Sequence, residues 1–275
     1  MTQENIQNRF TIQNIKDSKG SDNPLVCLTS YTAPMTKILD PHCDVLLVGD
    51  SLGMVIYGME NTTRVTLDMM INHGQAVMRA APTSFVIIDL PYGTYEDTPE
   101  HALETTKRII GETRCDAIKL ECNASNKHII KHIVDNGYAV MAHIGLKPQH
   151  VLKEGGYKIK GKTNQEVSDL IEDAKAAEDA GAFGILIEGT IESAAQEITN
   201  AVSIPTIGIG ASPACDGQIL VVDDMLGMIT DHVPKFVRQY ANLADTISQA
   251  VENYAKDVRA RTFPASEHTY KGKKS

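Results

Sequence analysis

The chain has 275 residues, 42% of them hydrophobic, and a formal net charge of −9. That length fits one large domain or two ordinary ones with a sizeable core. The negative balance argues against nucleic acid and anionic membrane as partners, since both attract basic proteins. No apolar run approaches the roughly 20 residues needed to span a bilayer. The first ten residues lack the apolar stretch of a secretory signal. The five cysteines, Cys27, Cys43, Cys115, Cys122 and Cys215, form no CxxC pair and mostly adjoin apolar runs. They read as reduced, buried thiols of a cytoplasmic protein.

Residues 1–24 form a polar extension with a short amphipathic stretch at Phe10, Ile12 and Ile15. A regular alternation then begins. Residues 26–31 read as a first strand and 33–39 as a helix. Val45-Leu46-Leu47-Val48 cannot alternate in and out, so it reads as a strand buried on both faces, as in a parallel sheet. It stops at Gly49-Asp50-Ser51-Leu52-Gly53. A helix is expected over 67–81, a strand over 85–89 closed by Leu90-Pro91, and a helix from Thr98-Pro99-Glu100, where a hydroxyl cap precedes a first-turn proline. Residues 117–121 are a fourth strand, 126–136 a helix ended by Gly137, and 138–143 a fifth strand. A long connection, 144–163, follows. Asn164 is expected to cap a helix ending near Gly181. Strand six spans 183–188, a helix 193–202 and strand seven 204–210, with a weaker eighth strand at 218–222. A long helix fills 234–258, and the tail, 259–275, is basic.

Eight strand candidates, most followed by a helix, predict a (β/α)8 barrel, for which about 250 residues is typical. The expected layout is an extension (1–24), one barrel domain (25–258) and a tail (259–275). An open doubly wound sheet is the rival, weakened because no G-x-G-x-x-G opens a helix after the first strand.

The polar residues cluster at strand ends. Strands two to six end in Asp50, Asp89, Glu121, His143 and Glu188, with Lys119 two positions before Glu121. In a barrel these C-terminal ends open onto one face, where active sites are built. Residues i and i+2 share a strand face, so Lys119 and Glu121 point the same way while Ile118 and Leu120 point to the helices. Taken singly, each has a plainer explanation. A strand-end Asp is more often a turn former or helix cap, a single His a hydrogen-bonded core residue, and Lys119 and Glu121 a self-neutralising pair. Recurrence at five successive strand ends weakens all of these together.

Two aspartates with a nearby glutamate suit a hard, oxygen-binding cation such as Mg2+. A nearby lysine suits an anionic substrate. A metal facing a 2-oxo acid stabilises the enolate formed when the adjacent carbon loses a proton. The base must be separate from the metal. Glu188 stands apart from Asp50 and Asp89 and follows Ile185-Leu186-Ile187, where desolvation raises a carboxyl pKa toward the working range. This pattern predicts an enolising carbon–carbon bond enzyme.

The sequence resembles the 3-methyl-2-oxobutanoate hydroxymethyltransferase (ketopantoate hydroxymethyltransferase) family, of the pyruvate/phosphoenolpyruvate barrel superfamily. The resemblance is carried in order by Val48-Gly49-Asp50-Ser51-Leu52-Gly53-Met54, Asp89-Leu90-Pro91, Lys119-Leu120-Glu121, His143-Ile144-Gly145-Leu146-Lys147-Pro148-Gln149, Gly155-Gly156-Tyr157-Lys158, Ile207-Gly208-Ile209-Gly210-Ala211, Asp216-Gly217-Gln218 and Pro234-Lys235-Phe236. It implies hydroxymethyl transfer from 5,10-methylenetetrahydrofolate to 3-methyl-2-oxobutanoate, giving 2-dehydropantoate for pantothenate and coenzyme A. It implies Mg2+ on Asp50 and Asp89 with Glu121 in or near the metal set, and an oxo acid bound by Asp50, Ser51, Asp89, Lys119 and His143. Glu188 is the implied proton acceptor, and the implied assembly is a cytoplasmic homo-oligomer, often a decamer. The alternatives are a lyase of the same superfamily and a non-catalytic barrel binding a metal–oxo acid complex.

Two departures stand out. Many members have Thr-Ala-Tyr-Asp at Thr29-Ser30-Tyr31-Thr32, and many have Glu-Gly-Gly at Glu121-Cys122-Asn123. The second removes two permissive glycines beside Glu121 and puts its placement in question. The long 144–163 connection reads either as a binding loop or lid, with Gly155-Gly156 as hinge and Lys153, Lys158 and Lys160 facing the glutamate tail of folate, or as an ordinary basic surface loop.

Overall fold

The computed structural model describes residues 9–230 and 233–272. Residues 1–8 of the expected extension, 231–232 of the expected barrel domain and 273–275 of the tail lie outside the described residues. Eight parallel strands close into a barrel in sequence order: β1 (Leu25–Thr29), β2 (Val45–Val48), β3 (Phe85–Asp89), β4 (Ala117–Glu121), β5 (Val140–Gly145), β6 (Gly184–Glu188), β7 (Thr206–Ile209) and β8 (Gly217–Leu220). Pairing of Leu25 with Gly217 through Leu28 with Leu220 closes the ring and removes the open-sheet alternative. The helices are α1 (Ile12–Asp17), α2 (Ala33–Leu39), α3 (Leu52–Val55), α4 (Leu67–Met78), α5 (Pro99–Thr113), α6 (Lys127–Asp135), α7 (Val151–Glu154), α8 (Asn164–Asp179), α9 (Glu192–Ala201), α10 (Val222–Met225) and α11 (Leu243–Arg259).

The fully apolar strands are buried on both faces because the barrel has two packing layers. Leu46, Val48, Val86, Ile88, Ile118, Leu120, Ala142, Ile144, Ile185 and Ile187 are buried on the parity that faces the helices. Residues of the other parity, among them Cys27, Val45, Leu47, Phe85, Ile87, Ala117, Met141, Leu186, Ile207 and Ile219, form one interior cluster. Burying each Leu or Ile contributes about 1.5–3 kcal/mol. Phe85 and Phe183 meet edge to face, 5.8 Å between centroids.

The amphipathic stretch near the start has a defined place. Ile15, on α1, is fully buried in the interior cluster, with Phe10 and Ile12 packed against it. Its neighbours are tied to residues just before the strands. The Phe10 amide donates to Thr83 O (2.7 Å), Arg9 pairs with Asp116 (2.5 Å), and Lys19 pairs with Asp216 (3.2 Å). The segment therefore closes the N-terminal end of the barrel, leaving the C-terminal end for chemistry.

Several boundaries differ from expectation. Strand eight spans 217–220 rather than 218–222. Thr163, not Asn164, caps α8: its extended backbone lets the hydroxyl accept from the Glu166 amide. The expected 234–258 helix is α11, starting at Leu243, where the Asn242 side chain accepts from the Asp245 amide. The chain forms two compact units, 1–222 and 223–275. The second unit contains α11, whose Ile247, Val251, Tyr254 and Val258 recur on one side and are exposed.

Candidate active site

Register alone brings the strand-end residues together. Asp89 lies beside Lys119, Glu121 beside His143, and Gly145 beside Glu188. The chain passes this end of β5 only because residue 145 is glycine. Its φ is +91°, and a Cβ there would stand 2.3 Å from Glu188 O. Beyond β2 the chain turns through Gly49, and the Asp50 amide donates to Asp89 Oδ2 at 3.1 Å. Asp50, Asp89, Lys119, Glu121 and His143 are all buried.

The two aspartates stand together with one buried cation, Lys119, to offset their charge. Burial, with Asp89 next in effect, pushes the Asp50 carboxyl up to about 8. Lys119 Nζ lies 2.8 Å from Asp89 Oδ1 as an ion-pair contact. Beyond that ion pair, Asp89 Oδ1 has no hydrogen-bond partner. Burial pulls the Lys119 ammonium down, but Asp89 and Asp50 outweigh it, and its pKa sits above the ordinary lysine value. A buried carboxylate pair facing a single ammonium is the setting a divalent cation stabilises. Among the described residues no group of three or more His, Cys, Asp or Glu side chains is arranged to hold a metal. A magnesium ion held by the pair would need water or substrate for its remaining positions.

Glu121, expected in or near the metal set, is tied to the loop that follows β5. Its Oε1 accepts from the Gln149 amide (2.9 Å), and its Oε2 pairs with His150 Nδ1 (2.7 Å). Both oxygens are engaged by the chain itself. The missing glycines do not displace it: Asn123 takes an extended conformation and caps the turn Ala124–Asn126, so no left-handed residue is needed there.

His143 sits between Lys119 and Glu188. Burial and the neighbouring Lys119 lower its pKa to about 3, so it is neutral. Lys119 Nζ, 3.5 Å from His143 Nδ1, has only protons to offer. Nδ1 is therefore the acceptor, and the proton sits on Nε2, 3.2 Å from Glu188 Oε2. That contact is within reach but poorly aligned, leaving Nε2 without a good partner. The Glu188 carboxyl, with 20% of its side chain exposed, is raised by burial, against the pull of Lys119, to about 7. On the other wall, Ser51 Oγ is 2.8 Å from the Tyr31 hydroxyl.

The 144–163 connection is less irregular than expected. It forms a turn at Pro148–His150 and then α7, and bends at Gly155 and Gly156, both at positive φ. It is stitched to the end of β6 by Lys160 N to Gly189 O (2.9 Å) and Ile191 N to Lys160 O (3.0 Å). Tyr157 donates to Met54 Sδ at 3.6 Å. Of the three lysines, Lys160 pairs with Glu154, Lys153 lies over the Tyr92 ring, and Lys158 is exposed. The five cysteines are all buried and free.

Sequence reasoning gave no role to Tyr31, Tyr95, Gln149 or His150. They lie in loops, where no period-2 register marks which side chains turn inward. The signal that was present is the run from His143 to Gln149, an unbroken path from a polar strand end into the following loop.

The profile of the family described as ketopantoate hydroxymethyltransferase matches residues 9–266. A 3-methyl-2-oxobutanoate hydroxymethyltransferase of Rhizobium rhizogenes is 52% identical, covering all of both chains. One of Mesorhizobium japonicum is 54% identical over 92% of this chain and 88% of its own. Among solved structures, a phosphonopyruvate hydrolase in complex with oxalate and Mg2+ superposes with a TM-score of 0.58 at 12% identity (94% and 92% covered). A 2,3-dimethylmalate lyase of the PEP mutase/isocitrate lyase superfamily gives 0.58 at 18% (90% and 87% covered). These two share the barrel fold, while the full-length relatives and the family profile decide the assignment: the chain belongs to the ketopantoate hydroxymethyltransferase family.

Proposed function

We propose that Asp50 and Asp89 hold a magnesium ion, that Ser51, Lys119 and the same aspartates bind the 2-oxo acid, and that Glu188 takes a proton from its C3. The activity itself is that of the family (EC 2.1.2.11): transfer of a hydroxymethyl group from 5,10-methylenetetrahydrofolate to 3-methyl-2-oxobutanoate, giving 2-dehydropantoate in pantothenate biosynthesis. The observation carrying the assignment of roles is the buried Asp50/Asp89 pair, with the one ammonium of Lys119 beside it.

Magnesium, when bound, supplies a Lewis acid for charge developing at the 2-oxo group. Lys119, kept cationic by Asp89 and Asp50, supplies a fixed positive charge for the anionic substrate. Glu188, with a pKa of about 7, is substantially ionised at neutral pH and yet basic enough to accept a carbon-bound proton. His143 stays neutral, and its Nε2 proton, 3.2 Å from Glu188 and without a well-aligned partner, is available to the oxo acid. Glu121 stands in or near the metal set, as the family resemblance implies, and fixes Gln149 and His150. Removal of the proton makes C3 the nucleophile that receives the one-carbon unit. The exposed side chains of the 144–163 connection, Lys158 and Tyr157, are at hand for the folate.

The further proposal is a cytoplasmic homo-oligomer, decameric as the family resemblance implies. It is supported by the exposed apolar stripe on α11 and the five free thiols. Among the described residues no helix is long and apolar enough to cross a membrane.

The assignment is tested by Asp50→Asn and Asp89→Asn. Each is expected to weaken magnesium binding at least tenfold in calorimetry and to abolish turnover. Full magnesium affinity in both variants contradicts the metal assignment.

A further inference from the structure

We infer that Gln149, locked by Tyr95, is the positioning residue that holds Asp50 in a single orientation for the cation. The inference rests on the metal assignment above. Every polar atom of the Gln149 amide is used. Nε2 donates to Asp50 Oδ2 at 2.8 Å and to Leu90 O at 2.9 Å, and Oε1 accepts from the Tyr95 hydroxyl at 2.5 Å. The orientation of this amide is fixed by chemistry, because Leu90 O only accepts, so the atom facing it must be nitrogen. The Tyr95 hydroxyl in turn accepts from the Glu121 amide at 3.3 Å, which directs its own proton to Gln149. Both Tyr95 and Gln149 are buried, so neither has water as a substitute partner.

The consequence for Asp50 is geometric. One carboxylate oxygen, Oδ2, is held by the amide, which leaves Oδ1 as the oxygen free to face a cation. Without the amide, the carboxylate turns about its terminal torsion, which is broad and roughly two-fold. Through its backbone amide to Glu121, the same residue ties the ends of β2, β3 and β4 together. Tyr95 touches neither aspartate through a hydrogen bond that the structure shows, so its effect on the cation runs through Gln149. This predicts non-additivity between the two.

The test is calorimetric magnesium affinity of the intact enzyme, with thermal midpoints measured alongside. Variants are Gln149→Met, which keeps length and removes both polar atoms, Tyr95→Phe, which removes only the hydroxyl, and the pair. The expected result is a magnesium Kd raised about tenfold or more by Gln149→Met, raised by a smaller factor in Tyr95→Phe, and no higher in the double variant than in Gln149→Met. KM for the oxo acid measured at saturating magnesium should move less than the magnesium Kd. If Gln149→Met does not fold, Tyr95→Phe alone decides. An affinity within twofold of wild type in a folded variant, or additive effects in the double variant, overturns the inference while leaving the metal assignment intact. A wild-type enzyme that binds no magnesium overturns both.

Discussion

Glu188→Gln separates catalysis from stability at one position. The Glu188 carboxyl is raised from 4.5 to about 7, chiefly by burial. A raised carboxyl pKa means the folded state holds the proton more tightly than the unfolded one. Its penalty is therefore absent below about pH 4.5, grows as pH rises toward 7, and is complete above that. The 2.5-unit difference between 4.5 and about 7 corresponds to about 3 kcal/mol at 1.36 kcal/mol per unit. That figure is an upper bound, because part of the side chain reaches solvent. Glutamine carries no charge and still offers an oxygen to His143 Nε2. The variant should be the more stable protein, by up to about 3 kcal/mol at pH 8.5 and by under about 1 kcal/mol at pH 5. In thermal melts the gain is on the order of 5 °C at the higher pH and about 1 °C at the lower. The assay is a pair of melting curves for wild type and variant at both pH values. A difference that stays constant with pH, or shrinks as pH rises, refutes the account of Glu188 as a carboxylate strained by burial.

Two further outcomes follow from the same geometry. In the pH profile, kcat/KM should fall below an apparent pKa of about 7, since Glu188 must be ionised to accept a proton. A limb near the ordinary carboxylate value removes the burial argument. In the 144–163 connection, Lys158→Ala should raise the folate KM several-fold while Lys160→Ala has less effect, because Lys160 is paired with Glu154 and Lys158 is not. Steady-state kinetics with both variants reads this directly, and an unchanged folate KM in Lys158→Ala removes the loop from folate binding.

The barrel was legible because its strands are apolar on both faces and end abruptly in polar residues, as Val45 to Asp50 does. Parity then placed Lys119 and Glu121 on the inner face, where both are found buried in the site. Parity does not say what a side chain meets once it arrives. Glu121 was expected beside the metal, and the partners its oxygens meet are Gln149 and His150, two loop residues that no strand register marks. The pairing of His143 with Glu188 depends on Gly145 letting β5 and β6 end at the same level, a backbone relation invisible at the level of composition. The placement of Ile15 inside the bottom of the barrel was hidden for a similar reason. A short amphipathic stretch shows that one face is buried but not against what. The helix expected over 234–258 begins at Leu243 because Asn242 provides the cap.

The central claim is that Glu188 draws a proton from C3 of the oxo acid beside a cation held by Asp50 and Asp89. Exchange of the C3 hydrogen of 3-methyl-2-oxobutanoate with deuterated water, followed by NMR without folate, tests it most directly. The account predicts exchange in the wild-type enzyme that depends on magnesium and is lost in Glu188→Gln, whose oxo-acid binding is retained. Exchange at the wild-type rate in Glu188→Gln contradicts the assignment of the base, and exchange indifferent to magnesium contradicts the role of the aspartate pair.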